Sequence, residues 1–341
     1  KNTINVILIM NHLIPYFLIV AALFLTCCNS SSSDALSEWK EQSDFAVKDT
    51  AAIDRFTISD TENNSITISR KEDGKTWKIE GSDYDAQVGS VNLLLETFYR
   101  IRVKRDVPER SVEHVLSSLS ARAKKVEIFT KHQSKPEKIW FVGGSTQDRE
   151  GTFMLLQTND NLSPVPFVMY KPGIYASMDV RFFTSWVDWR ASHVFKYPDI
   201  RDISSIQVDF LMDTSNSYKI KRAGYEVSLF NGSNEKIEYF DTIQAKHYFS
   251  HYKKIHYNRI ILKQQDFLDS IFNSACHYKI TLKDKNNKST FVELWKIKSN
   301  EDWDPEYGYI RVDGKNELLR IQFYSWDILF KPLSYFIKSS S

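Results

Sequence analysis

Three histidines, His247, His251 and His256, form the densest imidazole cluster in this 341-residue chain. His247 and His251 stand four residues apart, a spacing that places two rings on one helix face, as zinc sites require. No Glu follows His247 and no third ligand accompanies the pair, so the stretch reads as an aromatic and basic helix end. Glu301-Asp302-Trp303-Asp304-Pro305-Glu306, before Gly308, imitates a calcium loop but lacks its twelve-residue spacing and closing bidentate Glu. Its counterpart, Gln147-Asp148-Arg149-Glu150-Gly151, carries an arginine that would repel a cation; both are expected to be polar hairpin turns. Val142-Gly143-Gly144-Ser145-Thr146 lacks the Lys of a phosphate loop and reads as a strand-ending turn. Cys276 and His277 are sequence neighbours, which on a strand point to opposite faces and make a poor catalytic pair. Cys276 reads as a small core residue. The expectation is no metal, no cofactor and no catalytic residue.

One other thiol has a clear chemical use. Lys1 precedes an apolar run, Val6 to Met10, which resumes from Leu13 to Thr26, and no acidic residue appears before Asp34. This is the pattern of a secretory leader, expected to begin just after an initiator Met. The run ends Phe24-Leu25-Thr26-Cys27-Cys28, followed by Asn29 and four serines. A Cys with Leu three places before it and a small residue directly before it resembles the bacterial lipoprotein signal, in which the thiol is acylated and becomes the new N-terminus. Cys28 has Leu25 at that place; Cys27, the alternative, has Phe24. An uncleaved membrane helix would fit the length, but Asn11, His12 and Pro15 interrupt it and a Ser run replaces a basic stop-transfer cluster. Residues 1–27 are therefore expected to be a lipoprotein signal peptide. Residues 28–44 are expected to be a flexible tether to a membrane, facing the periplasm.

Two surface features remain. Trp186, Trp189 and Arg190 follow Phe182 and Phe183 near the middle of the chain. They could stack on a sugar or a partner, or pack between two halves of the molecule. Arg100, Arg102, Lys104 and Arg105 follow one helical stretch, and Lys253 and Lys254 follow another. Such cations suit the negative end of a helix dipole, or anionic lipid headgroups met by a tethered protein.

The elements that would carry these residues occur twice. Asn64-Ser-Ile-Thr-Ile-Ser-Arg resembles Asn216-Ser-Tyr-Lys-Ile-Lys-Arg, and Lys125-Val126-Glu127-Ile128 resembles His277-Tyr278-Lys279-Ile280. Ile139-Trp140-Phe141-Val142 likewise resembles Phe291-Val292-Glu293-Leu294, all at the same 152-residue step. A constant step over three strand-like segments marks an internal repeat. In the first copy, short strands at 53–60, 66–70 and 77–80 precede a helix. Its apolar stripe is Val88, Val91, Leu94, Leu95, Phe98 and Ile101. A second helix opens at Pro108, and strands follow near 124–130, 137–142 and 151–156. The second copy has strands near 203–210, 217–221 and 225–230, helices near 239–256 and 264–275, and strands near 277–283, 289–297, 307–312 and 318–323. The expected fold is α+β, a tandem duplication of a sheet-plus-two-helix unit with both helices on one sheet face. The units are placed at 45–190 and 191–338, with a hinge near Trp189–Pro198.

Charge excludes one class of partner. With 45 Lys+Arg against 43 Asp+Glu there is no field to capture nucleic acid. The 22 Phe, 17 Tyr and 8 Trp exclude a disordered chain.

Trp77-Lys78-Ile79-Glu80, Asn92-Leu93-Leu94-Leu95-Glu96-Thr97 running into Arg102-Val103, and Val142-Gly143-Gly144 with Gly151-Thr152 together resemble a known family. With Asp188-Trp189-Arg190 and Pro332-Leu333-Ser334-Tyr335-Phe336, they are similar to bacterial envelope proteins of the domain-of-unknown-function 4340 family, over most of residues 45–338. The resemblance implies a membrane-attached exported or periplasmic protein, in some cases encoded beside gliding-motility-type transporter components, and supplies no catalytic residues. The expectation is a non-catalytic, lipid-anchored envelope scaffold or accessory subunit with an envelope protein partner. The alternative is a glycan- or lipid-binding lipoprotein using an aromatic cleft between the units.

Overall fold

The computed structural model describes residues 31–158, 161–299 and 302–337. Residues 1–27, with the expected leader, and Cys28 lie outside them. The chain divides into two compact units between Ala191 and Ser192.

In the first unit the elements run α1 (Ser31–Gln42), β1 (Ile53–Ser59), β2 (Ser65–Arg70), β3 (Trp77–Ile79), α2 (Val88–Arg100), β4 (Arg102–Asp106) and α3 (Glu109–Arg122). There follow β5 (Lys124–Thr130), β6 (Lys138–Ser145), β7 (Thr152–Thr158), β8 (Asn161–Leu162), β9 (Phe167–Tyr170) and the short turn α4 (Trp186–Trp189). The sheet is antiparallel, in the order β3-β2-β1-β5-β6-β7-β9-β4, with β8 beside β7.

The second unit runs β10 (His193–Phe195), β11 (Ile203–Phe210), β12 (Tyr218–Ala223), β13 (Glu226–Asn231), β14 (Lys236–Ile237), α5 (Thr242–Tyr248) and β15 (Ile255–His256). It continues with β16 (Arg259–Ile261), α6 (Gln265–Phe272), β17 (Tyr278–Asp284), β18 (Ser289–Ser299), β19 (Asp302–Val312), β20 (Leu318–Gln322) and α7 (Phe323–Trp326). Its main sheet has the order β14-β13-β12-β11-β17-β18-β19-β20-β16, and β10 pairs with β15 apart from it. The fold class is α+β in both units.

The helices of the first unit do not share a sheet face, contrary to expectation. Helix α2 buries Val91, Leu94 and Phe98, with Phe98 edge-on to Trp140 at 5.1 Å and to Phe56 at 5.8 Å. The strand residues beneath it, Val126, Ile128, Met154, Leu156 and Phe167, alternate onto that face. The intervening positions Leu155 and Val168 point the other way and are also buried, against Val115 and Leu119 of α3. Period-two side-chain alternation makes this unavoidable: a strand with consecutive buried apolar residues needs cover on both faces. Gly143 belongs to this packing. A Cβ there would meet a Leu119 methyl at 2.6 Å and the Phe153 carbonyl at 3.1 Å. Gly143 and Gly144 thus lie within β6, at an irregularity in its register with β7, rather than in a turn beyond it.

Two further expectations are corrected. The segment expected to be a tether is helical over Ser31–Gln42, and Trp39 reaches the sheet, edge-on to Phe167 at 6.2 Å with its indole donating to Asp106 at 3.3 Å. Just beyond it Phe45 is buried, and Lys138 donates to the Asp44 and Ala46 carbonyls and the Asp44 carboxylate. The division between the units falls within the expected hinge, with Trp189 in the core of the first unit and Phe195, in β10, in the core of the second. The expected helix at 239–256 is only α5, then a 3-10 turn at Phe249–Lys253 and the strand β15. Tyr248, Phe249 and Tyr252 are buried at helical spacing, but the winding tightens to 3-10 from Phe249 onward and ends before β15.

Candidate functional site

The start of β2 and the end of β3 lie beside the segment Thr184–Trp186, and together they form an open groove of about 720 Å³ within the first unit. That volume falls among small-ligand sites, roughly 300–1,000 Å³. One wall is the indole of Trp186, which is 41% exposed. The ring is held in orientation from behind. It lies parallel to Tyr84, 10° between planes and 5.8 Å between centroids, and the Arg190 guanidinium sits 3.8 Å over the same tyrosine. Arg190 itself is almost fully buried.

The backbone explains this placement. Tyr84 to Ala86 continue the sheet past β3: the Ile79 amide donates to Tyr84, and the Ala86 amide to Trp77. Ala86 then bridges to Arg190, with the Gln87 amide donating to Trp189 and the Ala191 amide to Asp85. Thr184 is fastened by its hydroxyl to the Asp60 carboxylate at 2.8 Å. Asp60 also accepts from the Asn64 side chain, the largest of the influences that hold its carboxyl below the ordinary range.

The three central aromatic-patch residues thus separate into different roles. Trp189 is fully buried among Phe56 and Phe183, and its indole donates to the Phe183 carbonyl at 3.0 Å. As a ligand contact it is corrected: a ring with no exposed face offers none. Arg190 supports Tyr84. Only Trp186 presents a surface, and the groove it lines belongs to the first unit alone. Tyr84, which orients it, was not foreseen; it carries no signal in sequence because its partner is about a hundred residues away.

The expected lipid-contact cations are mostly engaged locally. Arg100, in the last turn of α2, pairs with Glu96 at 3.0 Å; Lys104 pairs with Glu150 at 2.8 Å. Arg102 donates to the carbonyls of Tyr99 and Ile101. Arg102 and Lys104 lie on β4, an edge strand rather than a helix end, where charge discourages pairing with another chain. Lys253 and Lys254 are exposed.

The histidines do not converge. The His247 and His251 rings meet edge-on at 5.2 Å, and burial, then the charges of His247 and Lys331, pushes His251 below its ordinary value. His256 is instead hydrogen-bonded to Ser192 at 3.0 Å. Among the described residues no group of three or more His, Cys, Asp or Glu side chains is arranged to hold a metal ion. Asp302, Asp304 and Glu306, expected in a turn, lie on β19; Glu301 is outside the described residues. Burial raises the Cys276 thiol, and His277 packs edge-on against Trp303 at 4.8 Å.

Compared with known protein families, with curated proteins and with solved structures, the chain matches none. Among the described residues no helix is long and apolar enough to cross a membrane.

Proposed function

We propose that this chain is a lipid-anchored protein of the bacterial cell envelope, tied to a membrane through Cys28. It acts without catalysis, as a scaffold or accessory subunit for an envelope complex. The observation that carries this reading is the placement of Cys28 after the apolar run, with Leu25 three residues before it. Several acyl chains on one thiol terminus anchor firmly, because each buried methylene contributes about 0.8 kcal/mol. The motif resemblance read from the sequence would imply the same address.

The body behind the anchor is, on this reading, one unit duplicated in tandem. The 152-residue step supports it, as does the shared order of events in the two sheets. A detail outside the sequence matches supports it too. Each unit closes with a short turn whose last aromatic is fully buried, Trp189 in one and Phe336 in the other. In each, that aromatic's carbonyl accepts from the amide at or next to the start of the unit's first sheet-packed helix, Gln87 or Asp241.

Metabolic labelling with a fatty-acid analogue tests the anchor. Wild-type protein expressed in a bacterial host takes up label and partitions into membranes, and Cys28→Ala abolishes both while Cys27→Ala does not. Unlabelled wild-type protein would overturn the reading. Crosslinking in native cells then tests the scaffold role; recovery of no envelope protein above background would count against it.

A further inference from the structure

We infer that the groove beside Trp186 is a binding site for a neutral saccharide. This goes beyond the scaffold role proposed above and does not depend on the anchor. The chemistry of the walls selects the ligand class. An exposed indole whose plane is already fixed by Tyr84 and Arg190 is a platform for the apolar C–H face of a pyranose, and fixing the ring beforehand removes the ordering cost of binding. The rest of the lining combines Ile66 and Ile79 with polar groups, and it holds no cation and one carboxylate, Glu80, which already has partners. Glu80 accepts from Ser69 and pairs with Lys78 at 3.3 Å. The remaining short polar groups of the lining include Ser65, Ser185 and Asn64, all exposed. The Asn64 amide nitrogen is spent on Asp60, which leaves its carbonyl oxygen as an acceptor. One apolar face and a rim of neutral donors and acceptors match a sugar, which is itself apolar on one face and hydroxylated at its edge. An anionic headgroup would find no cation among the lining residues, and an alkyl chain would strand these polar groups without partners.

The test uses the full chain in a detergent with no sugar headgroup, titrated by calorimetry with a panel of neutral tetrasaccharides of glucose, N-acetylglucosamine, mannose and galactose. At least one binds. Trp186→Ala weakens it by about tenfold or more, Trp186→Phe retains part of the affinity, and Tyr324→Ala, at an exposed aromatic in the second unit, leaves it unchanged. Ser65→Trp, which fills the groove while keeping the indole, also abolishes binding. Near-UV circular dichroism confirms that each variant is folded. Failure of the whole panel to bind overturns the inference, as does binding indifferent to Trp186→Ala or binding confined to anionic glycans. None of these results touches the labelling experiment, so the anchor and the groove stand or fall separately.

Discussion

Lys138 is a strand residue whose ammonium group is buried beneath the segment that leads into the first unit. It donates to two backbone carbonyls and the Asp44 carboxylate, with only 8% of its side chain exposed. Lys138→Met would leave those carbonyls without a donor, and an unmet buried acceptor costs about 1–3 kcal/mol each. The expected result is a lower denaturation midpoint with an unchanged slope. Gly143→Val should also destabilise the first unit by about 1–3 kcal/mol, since overpacking displaces Leu119. Asp73 supplies a pH dependence. Its carboxylate accepts from the Thr76 hydroxyl, the largest effect, and from the Thr76 and Lys75 amides. These lower its pKa from 3.8 to about 2. A carboxyl depressed in the folded state stabilises above its unfolded pKa, and that contribution fades as pH falls through the folded value. The stability difference between wild type and Asp73→Asn should therefore shrink between about pH 4 and pH 2. A difference that stays constant over that window would refute the role of the turn.

At the scale of elements, the Tyr248 hydroxyl ties three pieces of the second unit together. It donates to the Leu329 carbonyl at 2.5 Å and accepts from Tyr218 at 2.8 Å and from Tyr252 at 3.0 Å. Burial pushes all three phenols well above their ordinary range, so they stay neutral donors. Tyr248→Phe removes the shared oxygen and should cost about 1–3 kcal/mol. It should also raise amide exchange selectively over residues 327–337, as hydrogen-exchange mass spectrometry would show. Such couplings were not legible in the sequence. Helix α2 was, because its stripe from Val88 to Phe98 repeats at helical spacing, and so were the hairpins with polar turns. Strand β4 was hidden because Arg102-Val103-Lys104-Arg105 carries the charge of an edge and not the alternation of a core. The two-faced burial of β7 and β9 was hidden too, because a run such as Phe153-Met154-Leu155-Leu156 does not say which element covers each side. Trp186, in the groove, and Arg190, behind it, stood out by type. Their separation from buried Trp189 follows from one short turn, whose sense three residues cannot reveal.

At the scale of the whole molecule, each of the two units has its own buried core, and each ends in a buried aromatic, Trp189 or Phe336. Trp189→Ala should therefore unfold the first unit preferentially. The loss of a buried indole costs about 3–5 kcal/mol, and limited proteolysis should release the second unit intact. Phe336→Ala should do the reverse. Simultaneous loss of both in either variant would show that the halves are not independent folding units.

The most direct measurement for the account is the intact mass and N-terminal fragment spectrum of the protein extracted from bacterial membranes. A lipid-anchored protein of this kind would give a chain beginning at Cys28, with a diacylglyceryl thioether and no residue from 1–27. A chain that retains the apolar leader, or one cleaved with an unmodified thiol at its start, would contradict it.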